Sequence, residues 1–195
     1  MEYEEVQADE TSEISADSAR KLSSKIEGPF FLEDTGLYID SLNGFPGPYS
    51  SFVYKKIGNR GILRLLEGNG RSAKFITVIT LSVNGEFQQF TGTLEGTIAL
   101  EIKGKGGFGF DPIFIPSGMD KTLAEMAIEE KNRISHRSLA LGKLIPFLSQ
   151  FSMDSLRIPS SLGPRCLAIF CRSLRFFTKL CLLELSTREW NFLVS

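Results

Sequence analysis

The sequence predicts an α/β fold built on a mixed sheet, and three observations predict it. An apolar run at 29–33 suits a buried strand. The segments "AKFITVITLSV" (73–83) and "EFQQFTGTLEGTIALEI" (86–102) alternate β-branched and aromatic residues and meet at Asn84-Gly85, a strong hairpin signal. Helical spacing of apolar residues precedes, separates and follows these strands.

In chain order, residues 1–27 are polar and acidic, and "TSEISADSARKLSSKI" spaces Ile14, Leu22 and Ile26 as a solvent-facing helix. The apolar strand of 29–33 follows and ends in two adjacent acids, Glu33 and Asp34, before Thr35-Gly36. In "NGFPGPYS" the chain bends, because Gly44, Pro46, Gly47 and Pro48 release or restrict φ where no regular element continues. Phe52, Ile57, Ile62, Leu65 and Leu66 then form a helical stripe, broken near Gly58 and closed by Gly68.

Composition sets limits on function. With 195 residues and 42% hydrophobic content the chain can bury one full core, so one globular domain is the default. The balance of 22 Lys+Arg against 23 Asp+Glu gives net −1, so no global positive field collects nucleic acid or an anionic membrane. An anionic substrate must be met locally. Cys166, Cys171 and Cys181 are an odd set near the C-terminus without metal-ligand spacing, which reads as a reducing, cytoplasmic setting. No secretory order of basic, apolar and small residues is present.

Two further segments carry chemistry. "GKGGFGFDP" (104–112) contains G-x-G-x-x-G at Gly104, Gly106 and Gly109, but Asp111-Pro112 follows where a dinucleotide fingerprint needs a helix to open. A kinase glycine loop is excluded too, since HRD and DFG elements are absent. The segment is therefore either a mobile loop between strands or, with Phe108, Phe110 and Asp111, part of a nucleobase pocket that offers an aromatic face and an acid. In "KTLAEMAIEEKNRISHRSLAL" (121–141), Thr122 and Glu125 fit a capping box that opens a helix with Leu123, Met126 and Ala127 on its apolar face. Lys131, His136 and Arg137 then gather three kinds of donor, and Ser135 is suited to cap a second helix. Such donors at a helix N-terminus make an anion site, unless they are a solvated basic face with an incidental histidine.

Three motifs, "FFLEDTGLYIDSLNGFPGPYSS", "GGFGFDPIFIP" and "KTLAEMAIEEKNRISHRSLAL", stand in one order around the hairpin, and over about residues 2–148 the chain resembles the inosine/xanthosine triphosphate pyrophosphatases of the Ham1 type. The resemblance implies an elongated, two-lobed α/β fold, usually a homodimer, that hydrolyses noncanonical purine nucleoside triphosphates to monophosphate and pyrophosphate with Mg2+. By that resemblance Asp34 holds Mg2+ and helps activate water, and Glu5 is the second metal-side carboxylate. Adjacent strand residues point to opposite faces, so Glu33 and Asp34 do not both face the metal; Glu33 is kept as the other candidate acid and Thr35 as a substrate contact. Phe108 is the expected stacking platform, and Phe110 stands where the family usually has Tyr or Trp. Asp111, His136 and Arg137 match positions lining the base pocket, with donors aimed at a 6-keto oxygen, and Lys131 matches the family's E-K-N lysine.

Two departures accompany the match. The family's T/S-G-N-x-x-K phosphate loop and first strand are not found before Met1, and Ser18 falls near the place of a family lysine that Lys21 or Lys25 replaces only loosely. The expected consequence is impaired turnover, or in the alternative a non-catalytic relic that binds nucleotide weakly or dimerises. The domain is expected over 1–148. Residues 149–195 change composition and are read as a frameshifted or read-through tail, or else as an amphipathic appendage carrying Leu167, Phe170, Leu174, Phe177 and Cys181, too charged to span a membrane.

Overall fold

A computed structural model of the chain describes residues 6–26, 28–149 and 191–194. In chain order the elements are α1 (Thr11–Ser23), β1 (Phe30–Ile39), a 3-10 turn at Asp40–Leu42, β2 (Pro46–Gly47), α2 (Ser50–Leu65), β3 (Ser72–Val83), β4 (Glu86–Ile98), a second 3-10 turn at Asp111–Ile113, β5 (Phe114–Pro116), α3 (Ile128–Ile134), α4 (His136–Ser149) and β6 (Asn191–Val194). The sheet order is β2-β1-β3-β4-β5 with antiparallel neighbours, and β6 pairs parallel with Phe30–Glu33 of β1, which makes the sheet mixed as expected. Among the described residues no helix is long and apolar enough to cross a membrane.

The strand that carries the acids is longer than the apolar run predicts. β1 runs ten residues, with Phe30 through Ile39 registered on Ser82 through Ala73, so Glu33 and Asp34 lie inside the strand rather than at its end. The ten-pair ladder to β3 carries the strand through both acids and so overrides their polar side chains. Gly36 is required where β1 meets β2, because a Cβ there would lie 2.7 Å from the Gly47 carbonyl oxygen and 2.8 Å from the Tyr38 ring.

Alternate residues of β1 build two different faces. Phe30 and Leu32 pack with Ala19 and Leu22 of α1. Along the same helix the Thr11 hydroxyl lies 2.8 Å from Tyr38 Oη, and Ser15 Oγ lies 2.7 Å from Thr80 Oγ1. The expectation of a solvent-facing α1 is thus corrected. Its Thr11, Ile14, Ser15, Ser18, Ala19 and Leu22 are buried, because small hydroxyl residues fill the apolar stripe and the Thr11 and Ser15 hydroxyls find partners on the sheet.

On the opposite face, Phe31, Ile79, Leu81 and Phe90 pack with Ala140, Leu144 and Leu148 of α4. Farther along, Leu37, Ile39 and Phe75 join Val53, Ile62 and Leu66 of the α2 segment with Phe110, Ile113, Phe114 and Leu123. Two local readings hold. Helix α2 is interrupted at Gly58 (φ +59°, ψ −168°), and Asn84 and Gly85 both take positive φ in the β3–β4 turn.

The helix expected to open at Thr122 opens six residues later, at Ile128. Thr122 and Glu125 do bond each other, with Thr122 N–H donating to Glu125 Oε2 at 2.8 Å, and this backbone donor holds the Glu125 carboxyl below the usual range. The next amides, however, leave the segment: Leu123 N–H donates to the Phe114 carbonyl and Ala124 N–H to that of Asp111. The Ala124 carbonyl, which a helix opening at Thr122 would pair with the amide four residues on, accepts from Gly106 N–H instead, so the segment is tied to the glycine loop and not wound as a helix. Glu5, the three cysteines and the stripe from Leu167 to Cys181 lie outside the described residues, as does the tail apart from Ser149 and β6.

Candidate active site

The site begins with the residues that β1 turns toward α4. Glu33 Oε1 accepts a charge-assisted hydrogen bond from Arg137 Nε at 2.5 Å and a longer one from the Thr35 hydroxyl at 3.4 Å. Thr35 Oγ1 shares a hydrogen bond with Thr77 Oγ1 at 2.7 Å, and Thr77 Oγ1 shares another with His136 Nδ1 at 2.5 Å. The imidazole, 5% exposed, stacks on Phe75 with ring centroids 4.7 Å apart and a 27° interplanar angle. Burial, then the nearby charges of Arg137 and Lys131, lower its pKa from 6.5 to about 3. His136 is therefore a neutral ring at physiological pH.

Local sequence explains how α4 delivers His136 and Arg137. Ser135 lies outside the helix with extended backbone and its hydroxyl accepts from Ser138 N–H at 3.2 Å, as its capping role predicts. The first turn of α4 then rests on β4 at Gly92, where any Cβ would collide with the His136 carbonyl and the Ala140 amide. Only a glycine there lets the helix start so close to the sheet.

The glycine run forms the second wall. Asp111 Oδ2 accepts from Phe108 N–H at 2.7 Å and pairs with Lys131 Nζ at 2.5 Å, so a single carboxylate shapes the loop and anchors α3. Gly107 (φ +69°) has no room for a Cβ beside that carboxylate. Asn59 Nδ2 donates to the Gly109 carbonyl at 3.2 Å, tying the loop to α2. These bonds make it a pinned loop, not a free connection. The Phe108 ring, 62% exposed, has Lys131 Nζ 4.7 Å and the Arg137 guanidinium 5.3 Å from its centroid.

The structure thus brings Glu33, Thr35, Phe108, Asp111, Lys131, His136 and Arg137 into one cluster. Two expected residues stand apart from it. Phe110 is 4% exposed and packs edge-on against Tyr54 at 5.3 Å, a core position rather than a second stacking surface. Asp34, 8% exposed, takes the α1 face of β1 between Leu32 and Gly36. Thr77, Gly92, Phe75 and Asn59 belong to the site and were not singled out from the sequence. Only Gly92, a glycine inside an alternating strand, carried a signal that could have found it.

Among the described residues no group of three or more His, Cys, Asp and Glu is close enough to hold a metal ion. Glu33 and Asp111 each face a cation instead. Mg2+ needs only one or two protein carboxylates, since water and phosphate oxygens complete its shell. The carboxylate of Asp34, set within a ten-residue strand, fits such a ligand.

An exposed aromatic ring with an ammonium and a guanidinium over it suits a planar ligand that bears negative charge, which places the molecule among nucleotide-handling α/β proteins. The chain belongs to the Ham1 family, whose profile matches residues 1–147. It is 52% identical over 157 residues to the dITP/XTP pyrophosphatase of Korarchaeum cryptofilum, covering 80% of this chain and 84% of that one. It is likewise 52% identical over 151 residues to the dITP/XTP pyrophosphatase of Thermococcus kodakarensis, covering 77% and 82%. The fold matches a HAM1 protein from Coxiella burnetii with a TM-score of 0.72 at 35% identity, over 77% of this chain and 82% of that one.

Proposed function

We propose that this protein hydrolyses noncanonical purine nucleoside triphosphates (inosine, deoxyinosine and xanthosine triphosphate) to the monophosphate and pyrophosphate, acting as a cytoplasmic homodimer with Mg2+. The observation that carries the reading is the Phe108 ring, exposed to a ligand and flanked by Lys131 and Arg137. Relatives about half identical to this chain bear the name of that activity.

In this reading the purine stacks on Phe108, and Arg137 offers N–H donors to the 6-keto oxygen. Lys131, held by Asp111, meets phosphate charge. Asp34, together with Glu5, would hold Mg2+, which supplies charge neutralisation on the phosphates. Asp34 helps draw a proton from the water that attacks the α-phosphorus, and the bond to the β-phosphate oxygen breaks to release pyrophosphate. Thr35, beside Asp34 in the strand, contributes to substrate contact through the chain of hydroxyls it shares with Thr77.

Pyrophosphate release with Mg2+ should be faster from deoxyinosine triphosphate than from deoxyadenosine triphosphate. Phe108→Ala should weaken nucleotide binding by roughly 1–3 kcal/mol while the fold is kept, because the ring is exposed. Equal turnover of the two nucleotides, or release of orthophosphate in place of pyrophosphate, would overturn the proposal.

A further inference from the structure

We infer that the Thr35 and Thr77 hydroxyls set the tautomer of His136, placing its hydrogen on Nδ1 and leaving Nε2 as a hydrogen-bond acceptor. Thr77 is then a positioning residue for base discrimination.

The direction of each bond follows from counting hydrogens. Glu33 Oε1 accepts from Arg137 Nε, so it is a carboxylate oxygen with no hydrogen to give. The hydrogen in its contact with Thr35 must come from the Thr35 hydroxyl. A hydroxyl has only one hydrogen, so Thr35 must accept in its 2.7 Å bond with Thr77. Thr77 has now used its own hydrogen and must accept from His136, which puts the proton on Nδ1. The opposite polarity would satisfy two of these contacts but set a lone pair of Thr35 against a carboxylate oxygen. Only the first arrangement gives all three contacts a hydrogen.

The row that carries this chain is built into the sheet. Thr35 pairs with Thr77 across β1 and β3, and Thr77 pairs with Gly92 across β3 and β4. Gly92 lets the first turn of α4 descend, and Phe75 fixes the plane of the imidazole. Burial keeps the ring neutral, so Nε2 carries a lone pair at neutral pH.

The consequence for substrate choice rests on the pyrophosphatase reading above. Hypoxanthine and xanthine present an N1–H donor beside a 6-keto acceptor, whereas adenine presents an N1 lone pair beside a 6-amino donor. An acceptor at His136 Nε2 with a donor at Arg137 complements the first pattern and opposes the second. The expectation that His136 donates to the keto oxygen is thereby revised, and that donor falls to Arg137.

The chain has a single histidine, so 15N spectra of the untagged full-length protein at pH 7, recorded without nucleotide, report His136 alone. A protonated Nδ1 and an unprotonated Nε2 are expected. A protonated Nε2, an imidazolium or an averaged mixture of tautomers would overturn the inference. Thr77→Val should shift the proton toward Nε2 and lower the ratio of kcat/KM for deoxyinosine over deoxyadenosine triphosphate roughly tenfold, the scale of one hydrogen bond. Thr77→Ser should retain both wild-type values. A switched tautomer with an unchanged ratio would overturn the role in discrimination. Failure of the wild type to hydrolyse deoxyinosine triphosphate would sink the pyrophosphatase reading while leaving the tautomer result intact, so the two failures are distinguishable.

Discussion

Glu33 and Asp34 are neighbours on β1, yet one faces α4 and the other faces α1. On the α4 side, polar groups are joined in series from Arg137 through Glu33, Thr35 and Thr77 to His136. On the α1 side, where Asp34 also lies, the hydroxyl contacts are short and local, Thr11 with Tyr38 and Ser15 with Thr80, which also accepts from Gln89, among apolar side chains. The series on the α4 side is organised by its ion pair. A carboxylate buried against α4 is costly without a cation, and once Arg137 is held there its neighbours are ordered by the same field. The hydroxyls of the α1 side are neutral and are satisfied by nearby uncharged partners.

Substitution at Asp34 gives the largest expected effect. In the proposed mechanism Asp34→Asn removes the charge that binds Mg2+ and takes a proton from water, so turnover should fall by roughly 10²–10⁴-fold. Nucleotide binding without metal should change little, since Phe108 does not need the carboxylate. Near-normal turnover of a folded Asp34→Asn protein would transfer the role to Glu33 or Glu5.

Acid separates the two faces through His136. Its folded pKa of about 3 lies below the unfolded value of 6.5, so between those limits the unfolded chain binds the extra proton. Stability therefore falls as pH drops from about 6.5 toward 3 and this contribution levels off below, a loss on the order of 5 kcal/mol. Urea unfolding of the wild type and His136→Gln across that window should show the extra slope only in the wild type. Parallel curves would mean that the ring is charged, or solvated, in the folded protein.

Arg137→Ala leaves the Glu33 carboxylate buried opposite no guanidinium and should cost about 3 kcal/mol. Adding Glu33→Gln to Arg137→Ala should recover part of that loss, because the buried charge is removed with its partner. Strict additivity of the two changes would show that the pair is not coupled. The smallest effect is expected on the α1 face. Ser15→Ala should cost about 1 kcal/mol, because Thr80 keeps the Gln89 Nε2 donor at 3.1 Å. A loss as large as that of Arg137→Ala would show that the two faces are not different in kind.

Much of the fold was legible in residues close together in sequence. The Asn84-Gly85 turn, the interruption of α2 at Gly58 and the Ser135 cap are backbone conformations decided within a few residues, so residue type alone announces them. The three motifs likewise pointed to Phe108, Asp111, Lys131, His136 and Arg137, which the structure draws into one cluster. Distant partners decided the remainder. Phe108 and Phe110 are the same residue two positions apart, and only the Asp111 carboxylate that holds the Phe108 amide and the Tyr54 ring that meets Phe110 make one exposed and the other core. The start of α3 moved to Ile128 where the Ala124 carbonyl is taken by Gly106 N–H, a partner 18 residues away that a helical pattern does not reveal. Thr77 has no mark in its own strand, where it is one β-branched residue among many. Its role comes from Thr35, 42 residues away, and His136, 59 residues away, because a hydroxyl has one hydrogen to give and its direction is set by whichever groups the fold brings to either side.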